Sequence, residues 1–163
     1  MTLTECYRAL HGYFKAKASP IVVQMAFQNA PTPATPYISL ARPTAKQIGT
    51  ERKWTSALET VRTQYEGRAQ IWATCGSESV SENASDILRR ITALLRSTSS
   101  LAYFQSKGIS ILGFDGPNDV PRLDATSFVN EATATIRFYF SDDATEASKV
   151  IDFEEITNNI GAN

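Results

Sequence analysis

Apolar positions recur along this chain with two different periods, and the switches between them divide it into elements. Leu3, Tyr7, Leu10 and Phe14 fall at helical spacing, which predicts an amphipathic helix over 3–17. Thr2 and Glu5 frame its start in the capping-box pattern, where each side chain serves the other residue's backbone N–H. Ser19-Pro20 stops the helix, because the residue before a proline avoids the helical region. Ile21-Val22-Val23 is a β-branched run and predicts a strand between Pro20 and Phe27. Pro31, Pro33 and Pro36 then punctuate the stretch from Gln28 to Pro36. Proline donates no amide, so this stretch predicts a stiff, extended connector.

Tyr37 to Ile48 predicts a strand, Gly49-Thr50 its turn, and Trp54 to Tyr65 the returning strand. That hairpin is longer than a small core requires. Arg68 to Cys75 predicts a third strand, with Ala69, Ile71, Ala73 and Cys75 on one face and Arg68, Gln70, Trp72 and Thr74 on the other. Over 81–97 the period changes back to helical. Ala84, Ile87, Leu88, Ile91, Leu94 and Leu95 make one stripe, with Asp86 and Arg90 an i,i+4 pair on the wet side. Ser97-Thr98-Ser99-Ser100 breaks this helix and can cap a shorter one carrying Leu101, Tyr103 and Phe104, which Lys107-Gly108 ends.

Ile109 to Phe114 predicts a short strand and Asp115-Gly116-Pro117-Asn118 a turn. The strictest alternation follows. Phe128, Ala132, Ala134, Ile136, Phe138 and Phe140 define a buried face, and Asn130 is the one polar residue on it. Ser141-Asp142-Asp143 predicts an acidic turn, and Val150 to Thr157 a last strand. Strands joined by short turns give an α+β fold. It is a mostly antiparallel sheet with an N-terminal helix and a central pair of helices on one face, plus a long projecting β-hairpin. No repeat or boundary divides residues 1–163, which predict a single domain.

Composition narrows the function classes. A chain of 163 residues, 42% hydrophobic and 20% charged, can bury roughly two-thirds of its unfolded surface and needs no staple. A net charge of −1 argues against a protein that coats DNA. Cys6 and Cys75 have no metal-like spacing and read as buried free thiols of a reducing compartment. No stretch is apolar enough to span a bilayer, and Met1 to Glu5 lacks the start of a signal peptide, so the chain is expected to fold in a cytoplasm.

Candidate chemistry is sparse. His11 is the only histidine and reads as a helix-surface residue. No phosphate-cradling or dinucleotide-binding glycine loop occurs. Asp142, Asp143, Glu146, Asp152, Glu154 and Glu155 lack the spacing of a calcium loop. No enzyme activity, cofactor or metal is expected. The charges are segregated instead. Arg42, Lys46, Arg52 and Lys53 gather at the expected hairpin tip beside Trp54, while the acidic group lies on the expected final hairpin. Such patches either meet in a heterologous contact that can close into a ring, or stand solvated. A nucleic-acid face using Trp54, Tyr65 and Trp72 beside Arg52 and Lys53 is a rival, although strand aromatics more often pack.

The chain resembles the neck-terminator or tail-terminator (tail completion) proteins of long-tailed phages. Gln28-Asn29-Ala30-Pro31-Thr32-Pro33-Ala34-Thr35-Pro36-Tyr37 is similar to that family's Gln-Asn-x-Pro-x-Pro-x-x-Pro-Tyr entry to a long strand pair. The helix at 81–97, the segment from Leu101 and Gly108-Ile109-Ser110-Ile111-Leu112 match its helix, short helix and Gly-Ile strand. Asn130 to Phe140 resembles its penultimate strand, which has Arg-Ala where this chain has Glu131-Ala132. The resemblance implies a virion protein that forms a ring of copies, a hexamer, capping the tail tube and joining it to the connector. Its partners would be itself and the tail tube, sheath or connector proteins. DNA would pass through the lumen unread. A tail-tube or head-completion subunit is the neighbouring alternative within the same structural class.

Overall fold

The structure, a computed structural model, describes residues 1–26, 31–54, 58–76, 83–124 and 127–147. Helix α1 spans Leu3–Lys17. Its capping box forms as the sequence predicts: the Thr2 hydroxyl accepts from Glu5 N–H at 3.3 Å, and the Glu5 carboxylate accepts from Thr2 N–H at 2.7 Å. Cys6, Tyr7, Leu10, Tyr13 and Phe14 form its buried stripe. The helix ends at Ala18, just before Ser19-Pro20.

Strands β1 (Val22–Met25) and β2 (Tyr37–Leu40) run parallel, and residues 31–36 between them form no ladder, as three prolines require. Next come β3 (Thr44–Trp54) and β4 (Leu58–Cys75). Helices α2 (Ala84–Leu94) and α3 (Thr98–Ser106) follow, then β5 (Ile109–Asp119), β6 (Arg122–Asp124) and β7 (Ser127–Ala147). The sheet order is β1-β2-β4-β7-β5, with β3 also on β4 and β6 also on β7. Every pairing except β1–β2 is antiparallel, so the fold is α+β as expected.

The core lies between one face of the sheet and the three helices. Ala69, Ile71, Ala73 and Cys75 on β4 adjoin Ala132, Ala134, Ile136 and Phe138 on β7, all essentially inaccessible to water. The alanines keep this patch low, and Ile87, Leu88 and Ile91 of α2 fill the space above it. Phe14, Phe104 and Phe138 are also fully buried, each contributing on the order of 2–3 kcal/mol by removal from water. Tyrosine hydroxyls tie the helices down: Tyr7 donates to Leu40 O at 2.8 Å and Tyr13 to Leu94 O at 3.2 Å. Asn130, the polar residue on the inner face, accepts from Ala84 N–H at 3.4 Å and so helps cap α2 beside the N-cap Asn83.

Several boundaries differ from expectation. Gly49-Thr50 is no turn. Both residues lie inside β3, where an irregularity between Gln47 and Gly49 absorbs one residue as a bulge. The returning strand begins at Leu58, and the separately expected strand at 68–75 is its continuation. Asp115-Gly116-Pro117-Asn118 is likewise a bulge within β5. Gly116 sits there at φ 103°, and a Cβ would meet Thr133 O at 2.9 Å, so only glycine fits. Ser141-Asp142-Asp143 continues β7 to Ala147 with no turn. Phe128 has the parity of the buried face yet is 70% exposed, because α2 begins at the level of Asn130 and covers nothing before it. Asp86 pairs with Arg89, at 3.4 Å. The strand expected over 150–157 lies outside the described residues, as do residues 27–30 of the connector and 81–82 of the helix.

Candidate assembly surface

The core stops at Tyr65 and Phe140, whose rings stack across β4 and β7 at 5.1 Å. Beyond that stack the sheet continues, and no described helix covers it. β3, the Leu58–Gln64 part of β4 and the Ser141–Ala147 part of β7 form a three-stranded arm. Its length follows from strand geometry: seven residue pairs past the stack extend roughly 23 Å. Along β3 every residue is exposed except the half-buried Gly49. The edge of β3 away from β4 pairs with no described strand.

The predicted basic group divides on this frame. Arg52, Lys53 and Trp54 lie at the far end of the arm, opposite Val61, Thr60 and Glu59. Trp54 is 62% exposed. Arg42 lies in the junction between β2 and β3, and Lys46 near the start of β3 opposite Glu66. Arg42 is thus roughly 30 Å along the strand from Arg52 and does not share the tip. The expected turn at Gly49-Thr50 had placed them together, and its conversion to a bulge moves the tip out past Trp54.

The acidic group also moves. Asp142 and Asp143 lie in the arm itself, opposite Thr63 and Arg62. Arg62 donates twice to Asp143, both bonds 2.9 Å long. That bidentate contact holds the Asp143 carboxyl below its ordinary pKa and raises the Arg62 guanidinium. Asp142 accepts from the Met1 ammonium at 2.9 Å. These two carboxylates are therefore engaged within the chain, on the same arm as the basic tip. Asp152, Glu154 and Glu155 lie outside the described residues.

Among the described residues the tip cations have only loose partners. Arg52 stands 3.6 Å from Glu59, and Lys53 stands 3.7 Å from Glu51, both past hydrogen-bond length. Exposed pairs of this kind contribute little to folding.

A second projection lies at the other end of β7, and sequence reasoning missed it. β6 pairs with the start of β7, placing Leu123 directly opposite Phe128. Leu123 is 60% exposed. The last pair made by β4 is Cys75 with Asn130, so this hairpin runs past the body of the sheet. Its signal was present in the strict alternation around Phe128. That alternation shows which way a side chain points and leaves open whether anything covers it.

One hollow among the described residues, of about 440 Å³, is lined by Met1, Glu5, Arg8, Ala9, Tyr103 and Lys107, and its one carboxylate is the capping-box acceptor. It brings no convergent acid, base and nucleophile together. His11 Nε2 lies 3.3 Å from Val23 O and links α1 to β1. Cys6 is buried, which pushes its thiol up to about 12. Among the described residues no group of three or more His, Cys, Asp or Glu side chains could hold a metal ion.

Fold and surface define an α+β protein with a strand arm that no described helix covers. The chain belongs to the phage neck terminator protein family, whose model matches residues 4–162. Membership makes it a structural component of the phage neck and of the virion. No curated protein matches the chain.

Proposed function

We propose that copies of this chain form a ring at the head–tail junction that caps the tail tube, stops its growth and joins it to the connector. The three-stranded arm carries this reading. A sheet that no described helix covers and whose β3 strand is exposed gains little from its own packing, and it gains substantially when another molecule covers it. An exposed tryptophan at its end is the residue type that most often anchors an interface.

Six copies is the ring order that the family resemblance implies. The ring acts through all 163 residues as one unit, with tail tube, sheath or connector proteins as partners, and it is assembled in the host cytoplasm. It needs no catalytic step. DNA passes through the lumen unread, a role that a net charge of −1 suits better than a basic surface would.

The test is the mass of the purified chain in solution, alone and mixed with tail tubes, followed by imaging. The expected result is a closed ring of fixed mass seated at one end of each tube. A chain that stays monomeric at high concentration and leaves tube ends bare would overturn the proposal. Open-ended polymerisation into tubes would assign it to the tube subunits instead.

A further inference from the structure

We infer that the arm tip docks, through Trp54 and Arg52, onto the Leu123–Phe128 end of a second copy of this chain. The inference rests on the ring reading above and supplies its contact. Both patches lie on the same face of the sheet. Phe128 shares the parity of Ala132 and Phe138, and Leu123 stands opposite it. Asp119 pairs with Ala132 and so belongs to that face too. At the other end Arg52 and Trp54 stand opposite Val61 and Glu59, which have the parity of the inward-facing Ala69 and Ile71.

Each patch combines exposed apolar surface with an accessible charge, and the two charges have opposite signs. Asp119 is exposed and makes no ion pair with a described residue. The nearby Arg122 is paired with Glu131, on the other face, at 3.5 Å. Among the described residues Arg52 has only its 3.6 Å approach to Glu59, which leaves guanidinium donors that no described residue takes up. Two tips meeting each other would bring Arg52 and Lys53 against their own copies, which like charge disfavours. A tip meeting the Asp119 end is matched in charge and joins Trp54 to Leu123 and Phe128.

The two patches of one molecule cannot reach each other. Trp54 stands level with Glu59 and hence with Glu146 of β7, eighteen residues from Phe128. That is about 60 Å along the strand. A contact between different patches on successive copies is heterologous, and it closes when the rotation permits. Asp142 and Asp143 cannot take the place of Asp119, since both lie in the arm and are already bonded.

The experiment places a photoreactive phenylalanine derivative at position 54 of the full chain, with isotope-labelled and unlabelled copies mixed in equal amounts. Illumination is expected to give mixed-isotope dimers joined to peptides within 119–131. Cross-links to any other region, cross-links only to a different neck or tail protein, or no cross-link at all would overturn the contact. A charge swap gives a second reading. Arg52→Glu and Asp119→Arg should each raise the dissociation constant about tenfold, and the double variant should recover it. A double variant no better than the singles would overturn the pairing. Trp54→Ala should weaken association by about thirtyfold or more, the size of an anchor lost from an interface. All these side chains are exposed, so thermal midpoints of the unassembled chain, read at concentrations below association, should not move. Intact rings with cross-links elsewhere refute this contact and leave the ring standing. A chain that stays monomeric both alone and on tail tubes removes both.

Discussion

At position 67 the sheet has room for a hydrogen and nothing larger. A Cβ there would lie 2.4 Å from two ring carbons of Phe138, its direct partner on β7. Phe138 is fully buried and cannot swing away without opening the core. Gly67→Ala is therefore expected to destabilise the chain by about 1–3 kcal/mol, a loss of several degrees in thermal midpoint. Gly49→Ala is the matched control. Its Cβ would meet Gln64 Oε1 at 3.6 Å, an ordinary contact, so its midpoint should stay close to the parent's. Equal melting of the two variants would mean that the Phe138 ring has space to move. The thiols give a second check at this scale. Cys6 is fully buried with its thiol pushed up to about 12, and Cys75 is buried at the end of β4. Near pH 8 native protein should resist alkylation at both positions, and denatured protein should react at both. Rapid labelling of Cys6 in the native state would contradict its burial. Sequence alone located both thiols correctly in the interior, since Cys6 adjoins the apolar stripe of α1 and Cys75 shares the parity of Ile71.

Elements were legible in the sequence wherever one face met the core. α1, α2 and α3 follow their apolar stripes and caps, and β7 follows its alternation from Ala132 to Phe140. Where no core stands, the pattern carries no such signal. The arm strand Thr44–Trp54 is exposed on both faces, so its residues show no period of two, and Gly49-Thr50 then read as a turn. The same glycine chemistry serves a bulge as well as a turn, which also explains Asp115 to Asn118. Phe128 shows the converse failure, a correct facing without a cover. The same cause shifts Asp142 and Asp143, which the expected turn at Ser141-Asp142-Asp143 assigns to a closing hairpin and the structure places on β7. These differences predict unequal protection from hydrogen exchange. Amides of β4 between Ala69 and Cys75 lie between neighbouring strands under the helices and should exchange only with global unfolding. Amides of β3 should exchange through local opening, orders of magnitude faster. In the assembled protein the β3 amides nearest Trp54 should slow while those of β4 hold constant. Equal protection of β3 and β4 in the isolated chain would refute the division into core and arm.

At the scale of the whole molecule, that division separates stability from assembly. The buried side chains lie between α1–α3 and the helix-covered part of the sheet, and the Tyr65–Phe140 stack closes that volume. The arm beyond it adds backbone pairing and exposed ion pairs, of which Arg62–Asp143 has the best geometry. Exposed pairs contribute about 0–1 kcal/mol each, and a sheet with no packed face adds little more. Replacing residues 50–63 by a two-residue Asn-Gly turn would end the hairpin at the Gly49–Gln64 pair and leave the core untouched. The trimmed chain should melt within a few degrees of the unassembled parent, because no described residue that is fully buried is lost. It should also fail to form rings or to cap tail tubes, since Arg52 and Trp54 are gone. Sedimentation beside calorimetry reads both properties on one sample. Assembly that survives the trimming would show that the contacts between copies lie elsewhere on the chain. A collapse of the melting point would show instead that the arm is part of what holds the fold together, and that the exposure of its strands understates their share in stability.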